Sequence, residues 1–318
     1  MARRLRPDAR VFASISLVAG LALVTFDRLP LAAQTAPAAP GPSTSLGTGE
    51  LLGRVSTYVQ AYYARAQSLM VEETVMVQPI KGDLAPDGFA RSLVYDLRFE
   101  WTPGDGDEKP RVEVVRELLR ANRRPVKPGD EPKCLDPAPV TPEPLEFLLP
   151  AHHADYTFTG GARTMLDGKE AFLLDYVPRS SGTPKATLDP KGTGDKECIS
   201  MDVPRRFRGR IWVDPDTAAV RRIDEALMGP TDVPLPKEVL RRSGFGGGLF
   251  ITLTRSDSSV RYSATTFADP EETLMLPTSI ENVWITVAGA VRGVRMTQQY
   301  RNYRRFLTES RIVANPEP

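Results

Sequence analysis

The sequence has only two histidines and two cysteines among 318 residues, and this scarcity restricts its chemistry. A serine or cysteine hydrolase needs a histidine as its base, so His152 or His153 would have to serve. No Gly-x-Ser-x-Gly motif supplies a nucleophile elbow. No cluster of metal ligands stands at ligand spacing beside the two histidines, and we expect this pair to lie in a solvated loop. The sequence therefore predicts no catalytic residue, no metal site and no cofactor.

The sequence also lacks a large excess of either charge sign, because it has 41 Lys and Arg and 40 Asp and Glu. Residues 1–33 hold five of the basic and two of the acidic side chains, which leaves 36 basic and 38 acidic ones in the remainder. A nearly neutral protein has no overall field that attracts polyanions. We therefore expect no nucleic-acid partner.

The N-terminus has the order of a targeting segment. Residues 1–10 are strongly cationic, and residues 11–26 are mostly apolar and carry no charge. A membrane-spanning helix needs about 20 apolar residues, so this run is short for a permanent anchor. Small residues at 31–33 and 36–38 offer cleavage sites. The pattern predicts a signal peptide over 1–33 and a periplasmic or secreted protein without an integral membrane domain after cleavage; an uncleaved N-terminal anchor is the alternative.

The rest of the chain divides by composition. Residues 34–49 are almost all small residues or proline, which predicts a flexible linker. A single β-rich domain is predicted over 50–310, followed by a tail at 311–318. Proline is frequent, with 29 residues in the chain, and we expect loop insertions near 125–144 and 178–204.

Apolar periodicity predicts one helix and a series of strands. Spacings of three and four between residues 50 and 68 predict an amphipathic helix. Residues 89–101 alternate apolar and polar side chains, as in a half-buried antiparallel strand. Three more pairs of segments flank turn signals and predict hairpins: 156–165 with 170–177, 208–213 with 219–227, and 283–287 with 291–306. Sequential hairpins after one helix predict an α+β fold with a mainly antiparallel sheet.

Two segments leave the pattern less clear. Residues 111–120 suit either a helix or a strand. Glu72 and Glu73 follow each other within an alternating segment, so they point to opposite faces and at most one points inward. For this pair we expect a charge at the edge of a sheet.

Cys134 and Cys198 are the only cysteines. An even pair in an exported protein usually forms a disulfide, and each of the two lies in one of the predicted insertions. We therefore predict that they are linked.

Several strand ends resemble known exported proteins. The segments DGKEAFLLDYVP (167–178), GRIWVDPDTAAVRRID (209–224) and MLPTSIENVWI (275–285) resemble half-barrel proteins of the lipoprotein-localisation type, which are LolA/LolB-like. VEETVMVQ (71–78) and NYRRF (302–306) are similar to a family of uncharacterised exported bacterial proteins. The resemblance implies an open, curved half-barrel with the N-terminal helix packed on its concave face. It also implies a role in holding lipoprotein acyl chains.

These observations lead to a functional hypothesis. The protein is predicted to be an exported, non-enzymatic envelope protein that binds a lipid, a lipoprotein or another hydrophobic ligand in a concave sheet. The candidate groove consists of five large apolar side chains: Leu97, Phe99, Trp101, Trp212 and Trp284. The alternative is a protein-interaction or envelope-sensor module without a small ligand, whose partner is an envelope protein. A hydrolase is a distant third.

Overall fold

The structure is a computed structural model that describes residues 45–102, 111–127, 134–137, 141–142, 144–189, 198–242 and 249–305. The predicted signal peptide and C-terminal tail lie outside the described residues, as do all but the last five residues of the predicted linker. Within the described part of the chain, no helix has the length and apolar character needed to cross a membrane.

Most of the described chain is β-structure. Its fourteen strands are β1 (Ser68–Ile80), β2 (Arg91–Thr102), β3 (Arg111–Ala121), β4 (Arg124–Pro125), β5 (Tyr156–Leu166), β6 (Lys169–Pro178), β7 (Lys185–Asp189), β8 (Cys198–Asp202), β9 (Phe207–Val213), β10 (Val220–Leu227), β11 (Thr231–Pro234), β12 (Phe250–Ala268), β13 (Glu271–Ala288) and β14 (Ala290–Arg305). The helices are α1 (Thr48–Arg65) and α2 (Lys237–Arg242), with two short 3-10 helices at Glu146–Leu148 and Pro150–Asp155.

One curved antiparallel sheet contains twelve of these strands. Its order is β4-β3-β2-β1-β14-β13-β12-β10-β9-β6-β5, with β11 added beside β12. The end strands of this order, β4 and β5, do not pair with each other within the described residues, so the sheet is an open half-barrel. Strands β7 and β8 form a separate hairpin-like pair. The predicted antiparallel α+β fold is confirmed.

The predicted hairpins follow from turn chemistry. At the β5–β6 turn both Asp167 and Gly168 have positive φ, at 50° and 78°. This conformation matches the twist of paired strands and is favoured by an Asp-Gly sequence. The other two predicted hairpins are β9–β10 and β13–β14. The ambiguous segment at 111–120 is strand β3, because its backbone pairs with β2.

Helix α1 packs on the face of the sheet that we call the concave face. Four of its apolar side chains, Leu51, Val55, Val59 and Tyr62, have no exposed area. They belong to the same buried cluster as Leu97 and other sheet residues. The helix on the concave face is therefore confirmed.

The boundaries of α1 differ from the prediction by two or three residues. The helix begins at Thr48, whose hydroxyl donates to the Gly160 carbonyl of β5 at 2.8 Å. It ends at Arg65 because the Gln67 carbonyl already accepts the backbone N–H of Trp101, which starts the β1–β2 pairing. The Leu46 N–H also donates to β5, so the last residues of the predicted linker are attached to the sheet.

The structure adds detail to three expectations about local structure. Strand β2 begins at Arg91, and Phe89 lies before it with 99% of its side chain exposed. The predicted loop insertion at 178–204 contains β7 and β8, which satisfy their backbone groups by pairing. Only residues 125–127, 134–137, 141–142 and 144 of the other insertion belong to the described chain.

The predicted disulfide between Cys134 and Cys198 is present. It joins strand β8 to the segment around Asp136, whose carboxylate forms a 2.8 Å ion pair with Arg91 of β2. Farther along, Leu145 and Leu148 are buried in the cluster that α1 covers. This part of the chain therefore contributes to the cover of the concave face.

Candidate functional site

Three of the five predicted groove residues belong to the buried apolar cluster that α1 shares with the sheet. Leu97, Phe99 and Trp101 alternate along β2 and are 0%, 1% and 9% exposed. The ring of Tyr63 on α1 lies 4.7 Å from the ring of Trp101, measured between centroids. The three side chains are therefore buried, and the helix contributes to their cover.

The other two tryptophans lie elsewhere. Trp284 is opposite Val294 in the sheet register and packs against a second, smaller apolar cluster of the concave face. Trp212 stands between Ile211 and Val213, which both belong to the cluster under α1. Because neighbouring strand residues point to opposite faces, Trp212 lies on the outer face of the sheet. The structure thus does not bring the five residues together on one surface.

The structure corrects the expectation that Glu72 and Glu73 provide a charge at the edge of a sheet, because Glu73 is buried in its interior. It has no exposed area and lies in β1, between β2 and β14. Alternation places it on the concave face together with Val71 and Val75, and such a buried carboxylate needs partners. Its apolar neighbours at alternate positions were a signal that the sequence analysis missed.

The partners of Glu73 come from two distant strands. Arg116 of β3 donates from Nη2 to Glu73 Oε1 at 3.0 Å, and its Nε lies 2.8 Å from Oε2. Gln298 Nε2 donates to Oε1 at 2.7 Å, and the Tyr300 hydroxyl donates to it at 3.2 Å. Burial and the charge of Glu73 raise the pKa of Tyr300 well above its ordinary value. The carboxylate is thus held by one guanidinium and two neutral donors.

A polar cavity of about 220 Å³ lies on the concave face beside this group. Polar side chains from β3, β10, β12, β13 and β14 line it: Arg116, Glu225, Ser258, Asn282, Gln298 and Tyr300. Thr141, Pro142 and Pro144 line its other side. Val260 and Ile280 line the cavity and also belong to the apolar cluster under α1. The cavity therefore adjoins the surface that α1 covers.

Glu225 is held by a tyrosine from two strands away. The Tyr176 hydroxyl donates to Glu225 Oε1 at 2.5 Å. The ring of Tyr176 passes over Gly209 of the intervening strand, where an added Cβ would lie 2.2 Å from its Cζ. Burial raises the pKa of Glu225, and the hydrogen bond from Tyr176 opposes part of that rise. A glycine at 209 is therefore a condition for this contact.

The two histidines are not in a solvated loop, which corrects the sequence expectation. They lie on the 3-10 helix at 150–155, and His153 Nε2 is 2.9 Å from the hydroxyl of Ser56 on α1. Ser56 is 3% exposed, and its hydroxyl also lies 2.8 Å from the carbonyl oxygens of Leu52 and Leu148. The contact therefore joins α1 to the 3-10 helix. No group of three or more potential metal ligands occurs within the described ranges.

A cavity of about 970 Å³ lies on the outer face. Trp212 lines it, and the guanidinium of Arg222 stands 5.0 Å from the centre of its ring. Ion pairs surround this contact, among them Arg210 with Asp175 at 2.7 Å. The outer cavity is thus rich in paired charges and differs from the apolar surface under α1.

No protein-family model matches the sequence, and neither does any curated protein. Three solved structures are similar in shape over 83% of this chain. A domain assigned to outer membrane lipoprotein sorting, from Vibrio parahaemolyticus, is matched over 96% of its length with 8% identity and a TM-score of 0.37. A DUF1329 family protein from Desulfovibrio piger is matched over 95% with 10% identity and a TM-score of 0.36.

The third structure is a LolA superfamily protein from Nitrosomonas europaea, matched over 96% of its length with 10% identity and a TM-score of 0.30. The resemblance to LolA-like proteins that the sequence motifs indicated thus appears again among solved structures. At this identity and TM-score, the likeness assigns neither a site nor an activity to this chain.

Proposed function

We propose that the protein is an exported, non-enzymatic binding protein of the bacterial envelope, and that it holds an acyl chain of a lipid or lipoprotein on the concave face. The acyl chain would lie on the surface formed by Leu97, Phe99 and Trp101. Helix α1 covers that surface in the closed state and moves away when the ligand binds.

One observation carries this proposal: the element that covers the apolar surface, helix α1, is separate from the sheet. The apolar stripe of α1 and the strand residues beneath it form one buried cluster, although the helix is not part of the sheet. Polar contacts at a few points hold the helix in place, such as those of Ser56 and the bond from Arg54 Nη2 to the Pro215 carbonyl at 2.8 Å. A helix fastened in this way can leave without breaking a strand pairing.

The magnitudes permit such an exchange. Helix α1 buries three aliphatic side chains and two tyrosine rings, which together stabilise its position by about 7.5–15 kcal/mol at about 1.5–3 kcal/mol each. An acyl chain with about 14 methylene groups gains roughly 11 kcal/mol on burial at about 0.8 kcal/mol each. The ligand can therefore replace most of the burial that the helix gives up.

In the first test, the full chain is produced with its own leader, purified after export and extracted, and the extract is searched for acyl chains by mass spectrometry. We expect co-purified acyl chains. The second test uses thiol accessibility, since Cys134 and Cys198 are paired and an introduced cysteine is then the reactive one. Val59→Cys probes the buried stripe of α1, and Gln60→Cys on its exposed side is the matched control.

The expected result is that Val59→Cys resists a maleimide reagent in the lipid-free protein and reacts after palmitic acid, monopalmitoylglycerol or a lysophospholipid is added. Gln60→Cys should react throughout. If none of these lipids binds, or if bound lipid leaves Val59→Cys protected, the proposal is wrong.

The outer cavity supports a second candidate, a protein-interaction or envelope-sensor module without a small ligand. Its volume of about 970 Å³ and its exposed charge pairs around Trp212 suit a polar protein surface. A photo-crosslinking residue placed at position 212 tests this candidate in cells. A specific adduct with one envelope protein, in a preparation free of acyl chains, would favour it over the first proposal.

A further inference from the structure

We infer that the polar cavity of the concave face receives the head group of the bound lipid, and that it selects a neutral head group with hydroxyl, ester or amide groups over an anionic one. An acylglycerol is the simplest ligand of this class. The inference rests on the proposed function and assigns a chemical selectivity to the same site.

The position of the cavity provides the first step. Val260 of β12 and Ile280 of β13 stand opposite each other in the sheet and line both the cavity and the apolar cluster under α1. An acyl chain that replaces α1 would therefore extend along this cluster with its polar end at the cavity. About 220 Å³ equals the liquid volume of roughly seven water molecules, which suits a small head group such as a glyceryl ester.

The hydrogen-bonding groups of the cavity provide the second step. Glu225, Ser258 and Asn282 occupy opposed positions on three adjacent strands, so their side chains share the concave face. Among the described residues, the side chains of Ser258 and Asn282 have no hydrogen-bond partner. Gln298 is 7% exposed, and its amide nitrogen donates to Glu73 and to the Tyr300 hydroxyl. A ligand with both donors and acceptors would satisfy the amide of Asn282 and the hydroxyl of Ser258.

The charges around the cavity provide the third step. Arg116, the one guanidinium among the described residues of the lining, is already paired with the buried carboxylate of Glu73. A second carboxyl group, Glu225, lines the cavity from β10, and the Tyr300 hydroxyl is directed at Glu73. A phosphate or a free carboxylate entering here would be desolvated close to two acidic groups, and no described side chain of the lining offers it an unpaired cation. A neutral head group avoids this cost.

The test compares two lipids that share the same chain, monopalmitoylglycerol and palmitoyl lysophosphatidylglycerol, in competition for the full chain purified after export. Native mass spectrometry gives the ratio of the two complexes. We expect the neutral lipid to bind at least about ten-fold more tightly, because an uncompensated buried charge costs more than a lost hydrogen bond.

Two matched variants locate the selectivity. Ser258→Ala removes a hydroxyl from the cavity, whereas Ser259→Ala removes one from the opposite face of the same strand. Ser258→Ala should weaken monopalmitoylglycerol binding about 2- to 10-fold, the effect of one hydrogen bond, and Asn282→Ala should weaken it further. Ser259→Ala should bind like the unaltered protein, and thermal unfolding of every variant checks that it is folded.

Equal binding of the two lipids would overturn the inference and leave the proposed function standing. The same holds if both cavity variants keep the full preference for the neutral lipid. Failure of both lipids to bind to the unaltered protein would overturn the proposed function, and the inference with it.

Discussion

The substitution Arg116→Met should strongly destabilise the protein, because it leaves the Glu73 carboxylate buried without its counter-charge. Glu73 has no exposed area, and the Arg116 side chain is 4% exposed. Two contacts, of 3.0 and 2.8 Å, join the guanidinium to both oxygens of the carboxylate. The remaining donors, Gln298 and Tyr300, are neutral and cannot replace the charge.

The expected loss is about 3–5 kcal/mol, the usual cost of removing one partner of a buried ion pair. For a domain of this size, about 2–4 °C of melting temperature corresponds to each kcal/mol, so the melting temperature should fall by roughly 6–20 °C. In the double variant Glu73→Leu with Arg116→Met, both charges are removed. It should recover at least half of the loss, because an apolar pair of similar volume often replaces a buried ion pair without a net cost.

The assay is urea unfolding of the disulfide-bonded protein, with Arg98→Met as the matched control. Arg98 also forms an ion pair, with Asp96 at 2.7 Å, but its side chain is 47% exposed to water. Its loss should change the unfolding midpoint very little. If Arg116→Met is no less stable than Arg98→Met, the buried ion pair does not stabilise the protein in the way described. The same follows if the double variant loses as much stability as Glu73→Leu and Arg116→Met combined.

Two further predictions concern pH and the disulfide. Burial raises the pKa of Glu225 in the folded protein above its value in the unfolded chain. The protonated side chain therefore contributes to the free energy of unfolding in full below the unfolded-state pKa, and this contribution is lost as the pH rises through the folded-state pKa. Glu225→Gln, which keeps an acceptor for Tyr176, should therefore be more stable than the unaltered protein at neutral pH and equally stable in acid; an advantage independent of pH in urea titrations would contradict this. Replacing Cys134 and Cys198 with serine opens a crosslink between residues 64 positions apart and should cost about 4 kcal/mol, and an unchanged urea midpoint would show that the crosslink is not stabilising.

The strands could be predicted because their signal is local. Along β2, every second side chain from Leu93 to Trp101 is apolar and buried. This period of two can be recognised without knowing the partner strands. The Asp167–Gly168 turn is equally local, since positive φ at two successive residues favours this pair. The disulfide could be predicted because only one pairing of two cysteines exists.

The candidate site could be predicted only in part. Alternation along β1 places Glu73 among valines, but its partners lie 43 residues away at Arg116 and 225 residues away at Gln298. Spacings of that size carry no local pattern. The polar cavity escaped the sequence analysis for the same reason, because Glu225, Ser258 and Asn282 become neighbours only through strand order.

The sequence by itself determined which side chains share a face of each strand, since side-chain direction depends only on backbone alternation. It also determined that one helix carries an apolar stripe that must be buried. Only the tertiary structure decided where that stripe lies, and hence that Leu97 and Trp101 are covered whereas Trp212 is on the outer face. The physical reason is that an apolar surface must be covered by a surface of matching shape. The apolar pattern of one segment is compatible with many packing partners, and the strand order, which sets the curvature of the sheet, decides among them.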